Sequence, residues 1–162
     1  MEVDGFYAMP STGISNLGNN RPAVCEKLID DRFDADRLRI DSDSGQDPEM
    51  DFYRRRHDRR KLVYLSPGGV DGYVLIAGNQ VVGNSDLFMA DGLAKIEDVT
   101  ISANRQRQGF GSLMLKELSE IAASRDAETV YLLTSEEDTA KEMYKKLGFI
   151  KVGEKTQLHF SL

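Results

Sequence analysis

Apolar and polar positions fall into legible patterns only about a third of the way along the chain. From Met1 to about Lys61 the patterning is weak. FYAM (Phe6 to Met9) reads as a short strand, STGISNLGNN (Ser11 to Asn20) as a turn-rich loop, and DSDSGQD (Asp41 to Asp47) as a polar connector. A helix is expected from about Pro22, because proline suits a first helical turn and Val24, Leu28 and Ile29 recur at helical spacing. A second is expected from Pro48 to about Arg56, with Met50 and Tyr53 facing inward.

Beyond Lys61 the periods sharpen. KLVYL is strand-like, and PGGVDG follows as a turn. GYVLIA and QVVGNSDLF alternate as two strands across a Gly78-Asn79 break, and Asp91-Gly92 turns the chain into a further strand, Leu93 to Ser102. Phe110, Leu113, Met114, Leu118, Ile121 and Ala122 fall on one face of a long helix. VYLLTS (Val130 to Ser135) has the continuous apolar character of a buried central strand. A last helix carries Ala140, Met143, Tyr144 and Leu147 on one side, with Asp138 or Ser135 as cap and Gly148 as stop. FIKVG and QLHFSL close the chain as two strands. Together these elements predict an α/β (α+β) architecture, a mixed sheet with helices packed on it, in a single domain over residues 1–162.

Composition narrows the function classes. With 162 residues, 40% hydrophobic and 30% charged, the chain has the make-up of a soluble globular domain with one core. No run approaches the roughly 20 apolar residues of a membrane span, and MEVDGFYAMP lacks the basic-then-apolar layout of a secretion signal, so a cytoplasmic location and no membrane partner are expected. The single cysteine, Cys25, excludes an internal disulfide and a cysteine metal cluster. His57 and His159 are too far apart in sequence to suggest a metal site, and no metal is expected. A net charge of −6 gives nucleic acid no global attraction. RRRHDRRK (Arg54 to Lys61) is the local exception. It is either a patch for an anionic partner or a solvated helix end whose charges offset Asp47, Glu49, Asp51 and Asp58. Without interleaved aromatics the second reading is preferred, and no nucleic-acid partner is expected.

The chemistry-bearing stretch is RQRQGFGS, Arg105 to Ser112, between a strand and a helix start. The first amides of a helix lack internal partners, the helix dipole adds partial positive charge, and glycine lets backbone approach an anion closely. It is not a triphosphatase loop, since Ser112 and Leu113 follow Gly111 where Lys and Ser/Thr are needed. Nor is it a dinucleotide fingerprint, whose third glycine would fall at Met114. The eight residues alone favour a structural turn over a phosphate cradle.

Their setting separates the two. Gln106-x-x-Gly109-x-Gly111, preceded by IEDVTI and followed by an amphipathic helix, is joined about thirty residues later by AKEMYKKLGF, Ala140 to Phe149. This pair, in this order, resembles the GNAT superfamily of acetyl-CoA-dependent N-acetyltransferases over roughly Gly72 to Leu162, which would be the acyl-CoA-binding and catalytic core. Residues 1–61 match weakly, in the part that shapes the acceptor pocket in this family.

The resemblance implies a mixed central sheet with two splayed parallel strands, helices on both faces, and acetyl-CoA in the wedge. Backbone groups of Val99, Thr100 and Ile101 would then pair with the pantetheine arm. Amides of Arg107, Gln108, Gly109, Phe110, Gly111 and Ser112 would hold the pyrophosphate, with Gln106 shaping the loop. It also implies that Tyr144 protonates the departing thiolate; a phenol with a pKa of about 10 stays protonated until a thiolate forms beside it. From the residues alone, Tyr144 reads as a core side chain of an amphipathic helix.

For the base that takes a proton from the acceptor ammonium, Glu97 and Asp98 are the candidates, directly or through water. Neighbouring strand residues face opposite sides, so one of the two at most is expected to address the cleft. A similar Ile-Glu-Asp run occurs in glucosamine-phosphate acetyltransferases, whereas Lys95 stands where the histone-acetylating branch has a glutamate base. Glu137 stands where the family often has a cofactor-touching asparagine, which suggests a contact rerouted through Ser135.

The implied function is transfer of an acetyl group to a primary amine by direct attack in a ternary complex. Cys25 lies outside the motifs, so no covalent enzyme intermediate is expected. The alternative is a non-catalytic CoA-binding or protein-interaction module on the same fold. The acceptor is left open among polyamines, aminosugars, amino acids, drugs and protein amines, and a homodimer remains an available state.

Overall fold

The computed structural model describes residues 1–14, 22–43, 50–64, 66 and 69–158. Seven strands form one sheet in the order β2-β3-β4-β5-β6-β1-β7: β1 Glu2–Pro10, β2 Val24–Lys27, β3 Val70–Ala77, β4 Gln80–Ala90, β5 Leu93–Ile101, β6 Thr129–Ser135 and β7 Ile150–Gln157. Four α-helices pack on it: α1 Asp34–Asp43, α2 Met50–Tyr64, α3 Phe110–Ser124 and α4 Ala140–Lys146. Every strand pairing is antiparallel except β5 with β6. The two central hairpins turn where expected. Gly78-Asn79 lies at φ 57° and 61°, and Asp91-Gly92 at 50° and 76°, the pairs of positive φ that a two-residue type I′ turn demands.

Each face of the sheet has its own apolar layer. On one, Tyr73, Leu75, Val82, Leu87, Ala94 and Ile96 meet Leu113, Met114, Leu115 and Leu118 of α3 and Tyr144 and Leu147 of α4. Burying such side chains contributes roughly 1.5–3 kcal/mol each, and it is this stripe that holds α3 in place. On the other face, Leu28, Val74 and Val81 meet Ile40 of α1 and Tyr64 of α2. The mixed sheet with helices on both faces is as predicted.

The N-terminal third departs from expectation. The segment after Pro22 is the edge strand β2, not a helix. Four of its residues pair with Tyr73 to Ile76, and that pairing outweighs a weak helical period. Helix α1 was not anticipated, because its buried positions are Arg37 and Ile40, and a charged residue on the inner face breaks the apolar pattern. KLVYL is not a strand: α2 continues through Tyr64, leaving Leu62 and Val63 exposed. Its inner face is Tyr53, His57 and Tyr64, again too polar to read as a helical stripe. Tyr53 faces inward as expected.

Other expectations fall partly outside the described residues. These are Ser15 to Asn20 of the first loop, Ser44 to Asp47 of the connector, Pro48, Leu65, Pro67 and Gly68, and His159 to Leu162 of QLHFSL. Asp41 to Asp43 belong to α1 and not to a connector. One strand, β7, runs from Ile150 through Gln157 along β1, past Gly153 where the first of the two expected strands was to end; most of the second, QLHFSL, lies outside the described residues.

Candidate active site

Strands β5 and β6 pair only at Leu93↔Thr129, Ala94↔Val130 and Lys95↔Tyr131. Beyond Lys95 the two diverge, so among the described residues the β6-facing edge of β5 from Ile96 onward carries no strand partner. Unpaired backbone donors and acceptors at such an edge are ready to pair with an extended ligand.

A bulge reorients β5 within this opening. Asn84 of β4 pairs with Thr100 and Asp86 with Glu97, so Ser85 faces two residues, Asp98 and Val99. Asp98 takes φ 51°, a left-handed conformation. The extra residue resets the alternation. Ala94 and Ile96 before the bulge, and Val99 and Ile101 after it, all lie on the α3–α4 face. Glu97 sits opposite Asp86 in register, and Asp98 pairs with Arg56 and Arg60 of α2, so both carboxylates lie on the α1–α2 face. The expectation that these neighbours face opposite sides is therefore corrected by the bulge.

After β5 a single 3₁₀ turn, Ala103–Arg105, leads into the glycine loop. Arg107 (φ 58°) and Gly109 (φ 87°) both adopt left-handed conformations, and Gly109 caps α3. The Gln106 amide side chain donates to the Ile101 carbonyl at 3.1 Å, tying the loop back to its strand. Gln108 donates likewise to the Asn104 carbonyl at 3.0 Å. The first bond inside the helix runs from the Leu113 amide to the Gly109 carbonyl at 3.1 Å, so the amides of Gly111 and Ser112 precede the helical ladder. A Cβ on Gly111 would stand 3.4 Å from the Met143 sulfur and 3.9 Å from Ile101 Cγ1, which places this backbone at the junction of loop, strand and α4.

These elements enclose a cleft of about 650 Å³. Of the residues singled out from sequence, it gathers Val99, Ile101, Gln106, Arg107, Gly109, Gly111, Ser112 and Tyr144. Thr100 and Gln108 lie off its wall, and Phe110 is buried in the core. The far wall is α4 and the turn before it, Asp138, Thr139, Ala140, Glu142, Met143 and Lys146, of which only Tyr144 had been assigned a role in the site. The missing signal was helical geometry: residues one turn from Tyr144 share its face. The N-cap of α4 is Thr139, without a side-chain cap bond, and Asp138, one residue earlier than the cap position, accepts from the Ala140 amide at 2.9 Å.

Tyr144 packs against Tyr7 and Phe149, ring centroids 6.5 and 6.2 Å away. Burial, with a smaller contribution from the Asp138 charge, pushes its phenol up to about 12. Ser135 accepts from the Glu137 amide at 3.2 Å, and Glu137 itself is exposed.

Glu97 and Asp98 line a separate hollow of about 190 Å³ with Lys95, Ile96 and Leu133, in the gap between β5 and β6. Glu97 pairs with Lys95. Beneath them Asp86 is buried, accepts from the Tyr64 hydroxyl at 2.6 Å and lies 3.6 Å from Arg60. Burial raises the Asp86 carboxyl above its usual range against the opposing pull of Arg60, Tyr64 and Arg37. The RRRHDRRK run thus resolves into two sets. Arg56, His57, Arg60 and Lys61 face acidic residues of other elements, namely Asp98, Asp34, Asp86 and Asp31. Of the local acidic residues expected to balance them, Asp51 and Asp58 pair with none of these cations among the described contacts, and Asp47 and Glu49 lie outside the described residues. His57 is buried beside Asp34, and Cys25 is half-buried with a thiol that burial, then Glu117, pushes up to about 12. Among the described residues no helix is long and apolar enough to cross a membrane, and no three His, Cys, Asp or Glu side chains are grouped to hold a metal ion.

Residues 26–149 match the acetyltransferase (GNAT) family. A Bacillus subtilis relative, the uncharacterized N-acetyltransferase CgeE, is 40% identical over 72 residues, which is 43% of this chain and 28% of that protein. A conserved protein of unknown function from Staphylococcus epidermidis superposes with a TM-score of 0.78 at 21% identity, over 94% of this chain and 59% of its own. A GCN5-related N-acetyltransferase from Kribbella flavida superposes at 0.68 and 15% identity, over 93% and 55%. AAC(6')-Iy in complex with the bisubstrate analogue CoA-S-monomethyl-acetylneamine superposes at 0.67 and 10% identity, over 87% and 99%. The matches thus span little more than half of the first two structures and under a third of the B. subtilis relative. The chain belongs to the acetyltransferase (GNAT) family.

Proposed function

We propose that this domain transfers an acetyl group from acetyl-CoA to a primary amine, both bound at once. The observation that carries the reading is the opening of β5 from β6 after Lys95, beside a glycine-capped helix start and opposite Tyr144. This arrangement fits acetyl-CoA: an unpaired strand edge suits the amide-bearing pantetheine arm, and a helix start with backbone amides at Gly111 and Ser112 suits a pyrophosphate. A fold neighbour's complex with a CoA-linked bisubstrate analogue is in keeping with it.

In this reading, the backbone of Val99, Thr100 and Ile101 holds the pantetheine arm. The loop from Arg107 to Ser112 holds the pyrophosphate, with Gln106 keeping its shape. A β5 amide stabilises the oxyanion as the acceptor nitrogen bonds to the acetyl carbon. Tyr144 gives its proton to the sulfur as the carbon–sulfur bond breaks. Of the two candidate bases, Asp98 is held by two arginines and, among the described residues, Glu97 by Lys95 alone, so Glu97 is the one that takes the ammonium proton, through water on the acceptor side of the sheet. The acceptor approaches from the α1–α2 face, where the carboxylates lie.

The pairing of Glu97 with Lys95 and of Asp98 with two arginines also favours a second reading, a CoA-binding module without a free base. Thiol release across a panel of primary amines separates them: the enzyme releases thiol with at least one amine, and Tyr144→Phe slows that release while keeping acetyl-CoA affinity. A chain that binds acetyl-CoA and transfers to none of the amines supports the module.

A further inference from the structure

Among the described residues, Asp98 is the one non-glycine residue inside a strand with a positive φ. L-residues enter this region at a cost, and a strand interior offers no local reason to do so. The surroundings supply the reason. The Ser85 hydroxyl donates to the Glu97 carbonyl at 2.8 Å and the Thr100 hydroxyl to the Asp98 carbonyl at 3.3 Å, so the two carbonyls flanking the bulge are satisfied. The Asp98 carboxylate is held by Arg56, at 3.0 Å, and by Arg60. Arg60 in turn reaches the buried Asp86, which accepts from Tyr64, whose hydroxyl accepts from the fully buried Arg37 at 3.1 Å. A chain of alternating charge thus runs from the interior beneath α1 to the one strained residue of β5.

We infer that Arg56 and Arg60 are positioning residues that clamp Asp98 in its left-handed conformation and so hold the β5 bulge in register. The consequence reaches the opposite face of the sheet. Because side chains alternate along a strand, loss of the extra residue from the bulge would turn Val99 and Ile101 away from the cleft. The clamp on the α2 side therefore decides which residues line the cleft on the α3–α4 side. Asp98 acts through backbone geometry here, and its carboxylate is an anchor. The inference takes the cleft to be the acetyl-CoA site proposed above.

The test uses the double variant Arg56→Gln/Arg60→Gln, alone and combined with Asp98→Gly or Asp98→Ala. Acetyl-CoA affinity is measured by calorimetry, and backbone chemical shifts at residues 98 to 101 report the bulge without any ligand. The double variant should bind acetyl-CoA roughly tenfold or more weakly, as strain of this kind released at one residue implies. It should also lose the left-handed shift signature at Asp98. Adding Asp98→Gly should restore the signature and bring affinity to within about threefold of the parent, since glycine takes positive φ unaided; Asp98→Ala should restore neither. Unchanged shifts in the folded double variant, or a glycine that rescues no better than alanine, would overturn the clamp. A parent chain that fails to bind acetyl-CoA would remove the proposed function, and the shifts would still decide the clamp.

Discussion

Lys95 faces Tyr131 across the last parallel pair of β5 and β6, and the sheet opens immediately beyond them. Everything assigned to the candidate site follows from that opening. The bulge at Asp98 aims Val99 and Ile101 into it, the glycine loop closes one end, and Tyr144 stands on the opposite wall.

The glycine loop should matter through its backbone. Gly109 caps α3 at φ 87°, where a side chain costs about 1–2 kcal/mol. A leucine at Gly111 would press on Met143 and Ile101, since even a Cβ there stands 3.4 Å from the sulfur. Arg105 is already occupied, donating to the Gln80 side chain at 3.1 Å. Gly109→Val and Gly111→Leu are therefore expected to weaken acetyl-CoA binding by about tenfold or more, and Arg105→Ala by less than about threefold. Calorimetric titration of the three variants checks the ranking.

Tyr144 sets an alkaline limit. Its phenol stays protonated up to about 12, because burial disfavours the phenolate and Asp138 adds to the effect. An unfolded tyrosine ionises near pH 10. A folded-state pKa raised above the unfolded one gives a contribution to stability that is complete below about pH 10 and lost as the pH rises toward 12. Chemical denaturation should show stability falling across that window, with a shallower fall in Tyr144→Phe. The slope should otherwise be shared with Tyr7, Tyr64, Tyr73 and Cys25, which burial also raises.

The basic run on α2 should divide sharply. Arg60 bridges the buried Asp86 and Asp98, so Arg60→Ala leaves a buried carboxylate short of its cation and should cost about 1–3 kcal/mol. Arg54, Arg55 and Arg59 are exposed and make no ion pair among the described residues, and their alanine variants should stay within about 0.5 kcal/mol of the parent. Urea midpoints of the four variants measure this directly.

How far the sequence was readable tracks where its apolar residues lie. From Gly72 to Phe149 the elements carry clear apolar faces, and strands, turns and the two C-terminal helices stand close to where their periods put them; β7, exposed along nearly its whole length, is the exception. The glycine loop was visible because its spacing sits between a strand and an amphipathic helix. In the first third, α1 and α2 turn Arg37, His57 and Tyr64 inward: Arg37 donates to Tyr64, Tyr64 donates to Asp86, and His57 lies 3.2 Å from Asp34 without a hydrogen bond. Such pairs are formed by tertiary structure, and no one-dimensional period announces them. The bulge did leave a mark that went unread: the apolar positions shift from Ala94 and Ile96 to Val99 and Ile101, a break in the period of two at Glu97-Asp98 that the pairing with Asn84 and Asp86 resolves into an extra residue. The same slip produced the mistaken expectation that Glu97 and Asp98 diverge.

The central claim is that the cleft supports acetyl transfer with Tyr144 as the acid. Its most direct measurement is thiol release from acetyl-CoA across a mixed panel of primary amines, for the parent chain and Tyr144→Phe at equal acetyl-CoA saturation. Amine-dependent release by the parent that drops by roughly 100-fold in the variant is the predicted result. Equal release by both proteins, or no amine-dependent release by the parent, would contradict it.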